Sequence, residues 1–587
     1  MSGPQPLYER QMQRATAWGR VMVIGMILLM GFQLARVVQL KITPNEKLAA
    51  HVGSTMSSRP EFAKRGDVID RRGRVVATSS LGYRLFVDPK LVRDHGTIAA
   101  EIADAIGADP VEIDREIIPR RDRRYVVIRH LLEDWQVDAI RRANIRGVGL
   151  QPRLVRHYPN GELAAGLIGM VGFEHTGLGG MEHRFDEQLE PQSGRLTYLR
   201  DARQRALWIE PAGYEPGRSG ETVRLSLDLV IQEIVERHMR NVVASHNAGG
   251  GRMVVLDSQT GEVLGLTDIL NPREGWEEQT EDPMREHHAA LGRNRCVTDP
   301  YEPGSTFKPF IWAVATELGK VTLEERLDTP ATGDYRTGRG RRISDAFNYG
   351  NATWHDVMIK SLNSGMAIVA ERMSERQMQE AVARFGFGRR TNCGLPGESR
   401  GIVTSPRAWN HYTQTSVSMG HEIAVTPMQM VQAFAVFARD GTLPRVRLTA
   451  LHPDERELEV NHRILSDEIT RKTRRAMRDV MTEGTGRRAQ SEKYQLFSKS
   501  GTAQLPRRDG GGYHERRYVA SFIAGAPYTD PRIVVLCVID DPDPEIGYYG
   551  GAVAGPVVRD VVDEVLVYLG VEPDQPEAGP ALVFGGE

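Results

Sequence analysis

Ser305 and Lys308 stand three residues apart in Tyr301-Glu302-Pro303-Gly304-Ser305-Thr306-Phe307-Lys308-Pro309-Phe310. A serine hydroxyl is a weak nucleophile at neutral pH and needs an adjacent base. A lysine amine becomes such a base once burial or a neighbouring cation lowers its pKa. Pro303 and Gly304 end an extended segment, and the apolar run from Phe310 to Ala315 predicts a helix opening at the serine. Residues three apart share a helix face, so hydroxyl and amine are expected to meet. The helix N-terminus would add its positive end where an oxyanion forms. The same residues also read as a plain helix start, with Ser305 as N-cap and Lys308 solvated. Two polar patterns downstream bear on that choice: Ser361-Leu362-Asn363 and Lys499-Ser500-Gly501. Taken singly, the first reads as a polar helix face and the second as the end of an edge strand.

The surrounding segments predict a sheet with helices packed on it. Met253 to Asp257, a Gln259-Thr260-Gly261 turn and Glu262 to Leu266 form a hairpin. Tyr518 to Gly525 and Ile533 to Ile539 read as buried strands joined by a turn from Pro527 to Pro531. Val357 to Met373 reads as one helix containing Ser361, Leu362 and Asn363. Pro427 to Phe437, Ile469 to Met481 and Gly555 to Tyr568 are further helices, and Asp228 caps another through Ile231, Ile234, Val235 and Met239. Upstream, Arg65 to Ala77 predicts two short strands around a charged turn, and Thr97 to Ile106 and Glu133 to Ala143 have helical spacing. Arg120 to Arg124 reads as a solvated basic face. The glycine loop Gly177-Leu178-Gly179-Gly180-Met181-Glu182 is not followed by Lys-Ser/Thr, so it is no phosphate cradle.

At 587 residues the chain exceeds what one core supports, so several domains are expected. A formal net charge of -2 argues against nucleic acid as a main partner. Cys296, Cys393 and Cys537 are too few and too scattered for a disulfide framework, and neither they nor the histidines have metal-ligand spacing. Val21 to Ala35 is apolar except for Gln33, and the run extended to Leu40 reaches the roughly 20 residues that cross a bilayer. No small-residue cleavage pattern follows it, which favours an uncleaved signal-anchor over a cleaved signal peptide. Arg10, Arg14 and Arg20 precede the run against Glu9 alone, which puts the N-terminus in the cytoplasm. The tail from Glu572 is rich in Pro, Gly and acidic residues and reads as disordered.

Ser305-x-x-Lys308, Ser361-x-Asn363 and Lys499-Ser500-Gly501, in that order, form the set shared by class A β-lactamases and penicillin-binding proteins. The chain resembles the class B penicillin-binding proteins, monofunctional D,D-transpeptidases of peptidoglycan synthesis, and within them the cell-division branch. Tyr301 to Phe310, Tyr518 to Pro527, Ile539-Asp540-Asp541-Pro542 and Gly547-Tyr548-Tyr549-Gly550-Gly551 resemble that branch's transpeptidase segments. Arg65-Gly66, Arg156-x-Tyr158-Pro159-x-Gly161 and Gly177-x-x-Gly180-x-Glu182 fall where the family's pedestal carries similar motifs. Ser500 stands where threonine is commoner, and it keeps the hydroxyl.

The resemblance implies a multidomain α+β chain. Its expected parts are a cytoplasmic N-terminus over 1–18, a transmembrane signal-anchor helix over 19–41, a stalk over 42–60 and an extended α/β pedestal over 61–225. A transpeptidase domain follows over 226–570, an antiparallel sheet with flanking helices as in serine β-lactamases, then a disordered tail over 571–587. It implies Ser305 as nucleophile, Lys308 as base, Ser361 as proton relay, Asn363 on the substrate amide and Lys499 as a nearby charge. Ser500, Gly501 and Thr502 would bind the substrate, the hydroxyls of Ser500 and Thr502 holding its terminal carboxylate, and the backbone N–H groups of Ser305 and Thr502 would form the oxyanion hole. Replacing Asp509, in the loop beyond, should change acylation little. No metal or organic cofactor is implied. The implied partners are stem peptides, β-lactams, the cytoplasmic membrane, and a SEDS-type glycosyltransferase with other division proteins reached through the anchor and pedestal. The catalytic domain would lie outside the cytoplasmic membrane, at the septum. Rival readings are a side-wall transpeptidase, a β-lactamase or carboxypeptidase (both usually shorter), a β-lactam sensor and a non-catalytic division scaffold.

Overall fold

The computed structural model describes residues 5–43, 56–92, 94–201, 206–273, 276, 288–451, 462–507 and 511–575. Most of the expected stalk, Asp509 and the tail beyond 575 lie outside the described residues. The chain divides into two compact units, Met1–Ala63 with Pro191–Ser219, and Lys64–Glu190 with Gly220–Glu587.

In chain order the first half carries α1 (Gln5–Ile42), β1 (Met56–Glu61), β2 (Val68–Ile69), β3 (Val75–Val87), α2 (His95–Ile106), α3 (Pro110–Ile117) and β4 (Val126–Leu132). It continues with α4 (Asp134–Ala143), β5 (Val148–His157), β6 (Gly194–Arg200), β7 (Ala206–Glu215) and β8 (Val223–Arg224). The first unit holds α1 and the antiparallel sheet β1-β6-β7. Helix α1 has 38 residues and starts well before the expected anchor, because no Gly or Pro breaks the chain between Leu7 and Ala17. At 1.5 Å per residue it is about 57 Å long. Among the described residues it is the one helix long and apolar enough to cross a membrane, and no part of its apolar stretch is buried in the protein.

In the second unit, β4-β3-β2-β8 form a sheet in which β5 also pairs with β3, and α2, α3 and α4 cover a core centred on Leu85, Ile102, Ile113 and Ile140. Three motifs distant in sequence close on one another here. Arg65 Nε donates to Glu182 Oε2 at 2.9 Å, and Arg156 Nε donates to Glu182 Oε1 at 2.7 Å. Arg65 also pairs with Asp186 at 2.8 Å and donates to the Glu182 carbonyl at 2.9 Å. Two guanidiniums buried this deeply are tolerable because they share carboxylate and carbonyl partners. The charged turn between β2 and β3 reaches forward: Arg72 and Arg74 bind Asp228, which also accepts from Tyr568 Oη at 3.0 Å. Asp228 therefore does more than cap the following helix.

The second half is built on the five-stranded antiparallel sheet β10-β9-β15-β14-β13. Its strands are β9 (Gly250–Asp257), β10 (Val263–Leu270), β13 (Phe497–Pro506), β14 (Tyr513–Ala526) and β15 (Ile533–Asp540). A small hairpin, β11 (Asp334–Arg336) and β12 (Arg342–Ser344), lies outside it. Both faces are covered over β9, β15 and the second half of β14, so these stretches are largely apolar and their two side-chain sets enter different cores. Val534, Leu536 and Val538 join α6 (Lys308–Glu317) and α10 (Pro427–Ala438) on one face. Val535, Cys537 and Ile539 join α5 (Leu229–Ser245) and α12 (Gly550–Tyr568) on the other. Helices α7 (Trp354–Lys360), α8 (Asn363–Arg372), α9 (His411–Ser418) and α11 (Asp467–Glu483) complete the lobe that holds α6.

The single helix expected over Val357 to Met373 is instead two. Helix α7 ends at Lys360, Ser361 takes a left-handed backbone at φ 60°, Leu362 is extended, and α8 begins at Asn363. The apolar period runs through the break, which hid it. The Asp345 carboxylate makes the new start, accepting from the N–H groups of Asn363 and Ser364.

Removing the shared carboxylate of the Arg65–Arg156 cluster should be costly, because two buried guanidiniums lose their partner. Glu182→Ala is expected to destabilise the fold by about 3–5 kcal/mol. Chemical denaturation of the full chain in detergent checks this, with Glu116→Ala, in an exposed pair with Arg120, leaving the midpoint unchanged.

Candidate active site

A buried ion cluster positions the chain entering the nucleophile segment. Asp540 accepts from Arg252 Nε at 3.1 Å and from Arg295 Nη1 at 2.9 Å. Arg252 also donates to the Asp299 carbonyl at 3.0 Å and lies 5.0 Å from the Tyr301 ring centroid. Tyr301 pairs with Val425, and the Gly304 N–H donates to the Gly420 carbonyl at 3.0 Å. Gly304 is left-handed at φ 55°, and a Cβ on Gly420 would lie 2.0 Å from the Gly304 oxygen. Glycine is required on both sides of that contact.

Ser305 sits in a 3₁₀ turn, Gly304–Phe307, and α6 starts at Lys308. The expected α-helical start at Ser305 is thus a tighter turn, and Pro303, not Ser305, takes the N-cap position without a capping bond. Lys308 is fully buried, so the solvated reading fails. Its Nζ donates to the Ser361 carbonyl at 2.6 Å and to Asn363 Oδ1 at 2.7 Å, and lies 3.3 Å from Ser361 Oγ. Among the described residues no hydrogen bond joins it to Ser305 Oγ. Desolvation pushes its pKa down to about 7, opposed by the Asp345 carboxylate.

The break between α7 and α8 brings Ser361 and Asn363 to this amine. Trp312 of α6 stacks on Trp354 of α7 at 5.7 Å, and its Nε1 donates to the Trp354 carbonyl at 3.0 Å. The two helices are thereby held in register. Asn363 Nδ2 donates to the Ser344 carbonyl at 2.9 Å, which turns Oδ1 toward Lys308.

Lys499 lies on β13, the edge strand of the sheet, and is fully buried. Its Nζ donates to Ser361 Oγ at 2.8 Å and to the Ser500 carbonyl at 3.2 Å. Burial, then repulsion from Lys308, lowers its pKa well below the ordinary lysine value. Two amines thus share one hydroxyl in a dry pocket, and like charges that close disfavour double protonation. Each amine therefore gives up its proton more readily than a solvated lysine does.

Ser500 and Thr502 alternate with buried Lys499 and Gly501 and stay partly open on one face of β13. Ser500 Oγ is 2.7 Å from Thr485 Oγ1, and Thr502 Oγ1 accepts from the Gly550 N–H at 3.1 Å. A Cβ on Gly501 would meet the Pro303 carbonyl at 2.7 Å, so glycine lets the strand edge close on the Gly304–Phe307 turn. Tyr518, Tyr548 and Tyr549 stack at 4.2 and 4.4 Å, with Tyr549 half exposed beside α12. Among the described residues no group of His, Cys, Asp or Glu is placed to hold a metal ion.

The structure therefore joins Lys308, Ser361, Asn363 and Lys499 by hydrogen bonds and sets Ser305 and the Ser500–Thr502 edge beside them. Sequence reasoning missed Asp345 and Thr485. Asp345 lies 18 residues before the amide it caps, and only tertiary structure brings them together. Thr485 follows α11 in a Gly-Thr-Gly turn, a signal for a turn but not for a partner of Ser500.

The family model of the penicillin binding protein transpeptidase domain matches residues 251–563, and that of the penicillin-binding protein dimerisation domain matches 60–225. The chain is 30% identical over 588 residues to the peptidoglycan D,D-transpeptidase FtsI of Escherichia coli (strain K12), covering 98% of this chain and 96% of that one. It is also 30% identical over 531 residues to the probable peptidoglycan D,D-transpeptidase PenA of Neisseria meningitidis serogroup B, covering 89% and 87%. A peptidoglycan synthetase from Bifidobacterium adolescentis shares the fold, with a TM-score of 0.67 at 22% identity over 89% of this chain and 98% of that one.

Lys308 can accept a proton only when neutral, so the rate of Ser305 acylation should climb with pH up to about 7 and level off above it. Asp345→Asn removes the charge that favours the ammonium form, so the midpoint should move to lower pH. Stopped-flow acylation by a penicillin across this range checks both. A flat profile in the wild type counts against Lys308 as base.

Proposed function

This chain belongs to the class B penicillin-binding proteins and is a D,D-transpeptidase of peptidoglycan, and from that premise we propose that Ser305 carries the acyl group and that the enzyme works at the division septum. Ser305 Oγ gives its proton to Lys308 Nζ as it bonds to the carbonyl carbon of the penultimate D-alanine. The oxyanion is held by the N–H groups of Ser305 and Thr502, each such donor being worth roughly 3–4 kcal/mol in the transition state. Collapse breaks the C–N bond, and the departing D-alanine nitrogen takes a proton from Ser361 Oγ. Ser361 is resupplied from the amines at 2.8 and 3.3 Å, which returns the proton that Ser305 gave up. Asn363 would meet the substrate amide, and Ser500 and Thr502 its terminal carboxylate. The amine of a neighbouring stem peptide then attacks the ester, forms the cross-link and frees Ser305. β-Lactams acylate the same oxygen.

The single observation carrying this reading is Ser361 Oγ within hydrogen-bonding distance of both buried amines, one of them on Lys308, three residues beyond Ser305. Domain boundaries at 61–225 for the pedestal and 226–570 for the transpeptidase domain are supported by the two family-model matches. Helix α1 fits a single-pass anchor, with Arg10, Arg14 and Arg20 holding its N-terminus in the cytoplasm and the catalytic domain outside. Septal work is favoured by similarity to FtsI over nearly the full length. An anchored class B enzyme of this kind would act beside a SEDS-type glycosyltransferase, reached through anchor and pedestal.

Intact-mass spectrometry of the protein incubated with benzylpenicillin should show one penicilloyl adduct, mapped to Ser305, and none in Ser305→Ala. An adduct that persists in the variant would reject the nucleophile.

A further inference from the structure

The oxyanion hole is divided between two elements. One N–H belongs to the Gly304–Phe307 turn at the head of α6, the other to Thr502 on the sheet edge. The two meet where Gly501 closes on the Pro303 carbonyl and the Thr306 methyl and where Gly304 approaches Thr502 and Ala503, all within three residues of the strand.

A second contact lies further along. Tyr513, on β14, pairs with Pro506 of β13 beyond a bulge at Gln504. Pro506 is four residues past Thr502, about 13 Å along an extended strand. From that distance Tyr513 Oη donates to both carboxylate oxygens of Glu302, at 3.1 and 3.0 Å. Glu302 stands three residues before Ser305. Its carboxylate also accepts from the Glu422 N–H at 3.1 Å, and His421 Nδ1 lies 3.1 Å from it. Glu422 is itself left-handed at φ 56° and takes hydroxyl bonds from Thr413 and Ser416 at 3.0 and 2.7 Å. The Glu302 carboxylate is mostly buried, whereas Tyr513 reaches it from the surface, 37% exposed. Burial and the Glu302 charge hold the Tyr513 phenol up, so it remains a donor.

We infer that Glu302 and Tyr513 are positioning residues for acylation: their hydrogen bonds fix the angle between the nucleophile turn and the β13 edge, and so the width of the oxyanion hole. Neither touches the reacting atoms. Catalytic donors must be held to within about 0.5 Å, and a tie far out on the strand controls angle better than contacts beside the donors. The inference rests on the reading of Ser305 and Thr502 as the two donors.

The test measures acylation of the full-length protein in detergent by benzylpenicillin, separating noncovalent affinity from the acylation rate constant. Tyr513→Phe, which removes one oxygen, should slow the acylation step about tenfold and leave noncovalent affinity within about twofold. Glu302→Ala should slow it about a hundredfold, and Glu302→Gln, whose amide oxygen still accepts from Tyr513, should recover most of the loss. The double variant Tyr513→Phe/Glu302→Ala should be no slower than Glu302→Ala, because both remove one tie. A boronic acid that forms a tetrahedral adduct on the serine should lose affinity in proportion to the acylation rate. Acylation rates within twofold of wild type in Tyr513→Phe and Glu302→Ala overturn the inference, as do fully additive losses. If Glu302→Ala fails to fold, Tyr513→Phe and Glu302→Gln decide it. Ser305→Ala run alongside keeps the two readings apart. An adduct surviving there removes the nucleophile, whereas a wild-type rate in Tyr513→Phe removes only the tie.

Discussion

Two lysine amines buried around one serine hydroxyl set the terms for the rest of this protein. Lys308 and Lys499 are both without solvent exposure, and both reach Ser361 Oγ. Removing an ammonium from water disfavours its charged form, and a second one nearby disfavours it further. The fold must supply enough burial to free a base and enough polar partners to keep the pocket folded. Aromatic packing around α6 supplies the first: Phe310 stacks on Phe437 and Trp312 on Trp354. The carbonyls of Ser361 and Ser500 and the amide of Asn363 supply the second.

The geometry of Ser361 follows from that constraint. Were α7 continuous with α8, the Ser361 carbonyl would serve the helix ladder instead of Lys308. The left-handed turn frees it, at a cost of roughly 1–3 kcal/mol for a residue with a side chain. Asp345 offsets the cost by capping the new helix with two N–H acceptances and a bond from the Ser364 hydroxyl. The strained residue and its cap therefore form one device, though 16 residues of chain separate them.

Much of this was legible beforehand, and what was not has a physical reason. β9, β15 and the second half of β14 announce themselves by apolar runs, because both faces are covered there. The three polar patterns are short and ordered, and local spacing suffices to find them. The helix break at Ser361 escaped because Met358, Leu362, Met366 and Val369 keep a helical period across it, while the agent of the break sits outside both helices. The turn at Ser305 escaped because a 3₁₀ start and an α start have the same sequence signals. The meeting of Arg65, Arg156 and Glu182 was visible only as three separate motifs, since charge pairing over 117 residues leaves no mark in local pattern. Contacts made by tertiary closure, Thr485 on Ser500 and Tyr513 on Glu302 among them, belong to the same class.

The two sets of buried cations in the second unit show how one kind of side chain is given opposite tasks. Arg65, Arg156, Arg252 and Arg295 each meet a carboxylate at hydrogen-bonding distance, and guanidinium and acid hold each other in place. Lys308 and Lys499 meet only neutral acceptors. The nearest acid, Asp345, has its oxygens occupied by the N–H groups of Asn363 and Ser364 and by the Ser364 hydroxyl, so it acts on Lys308 through space alone. A direct Asp345–Lys308 bond would hold the amine as an ammonium. Keeping the carboxylate close enough to moderate the amine, yet engaged elsewhere, is what allows a lysine in this interior to lose a proton near neutral pH.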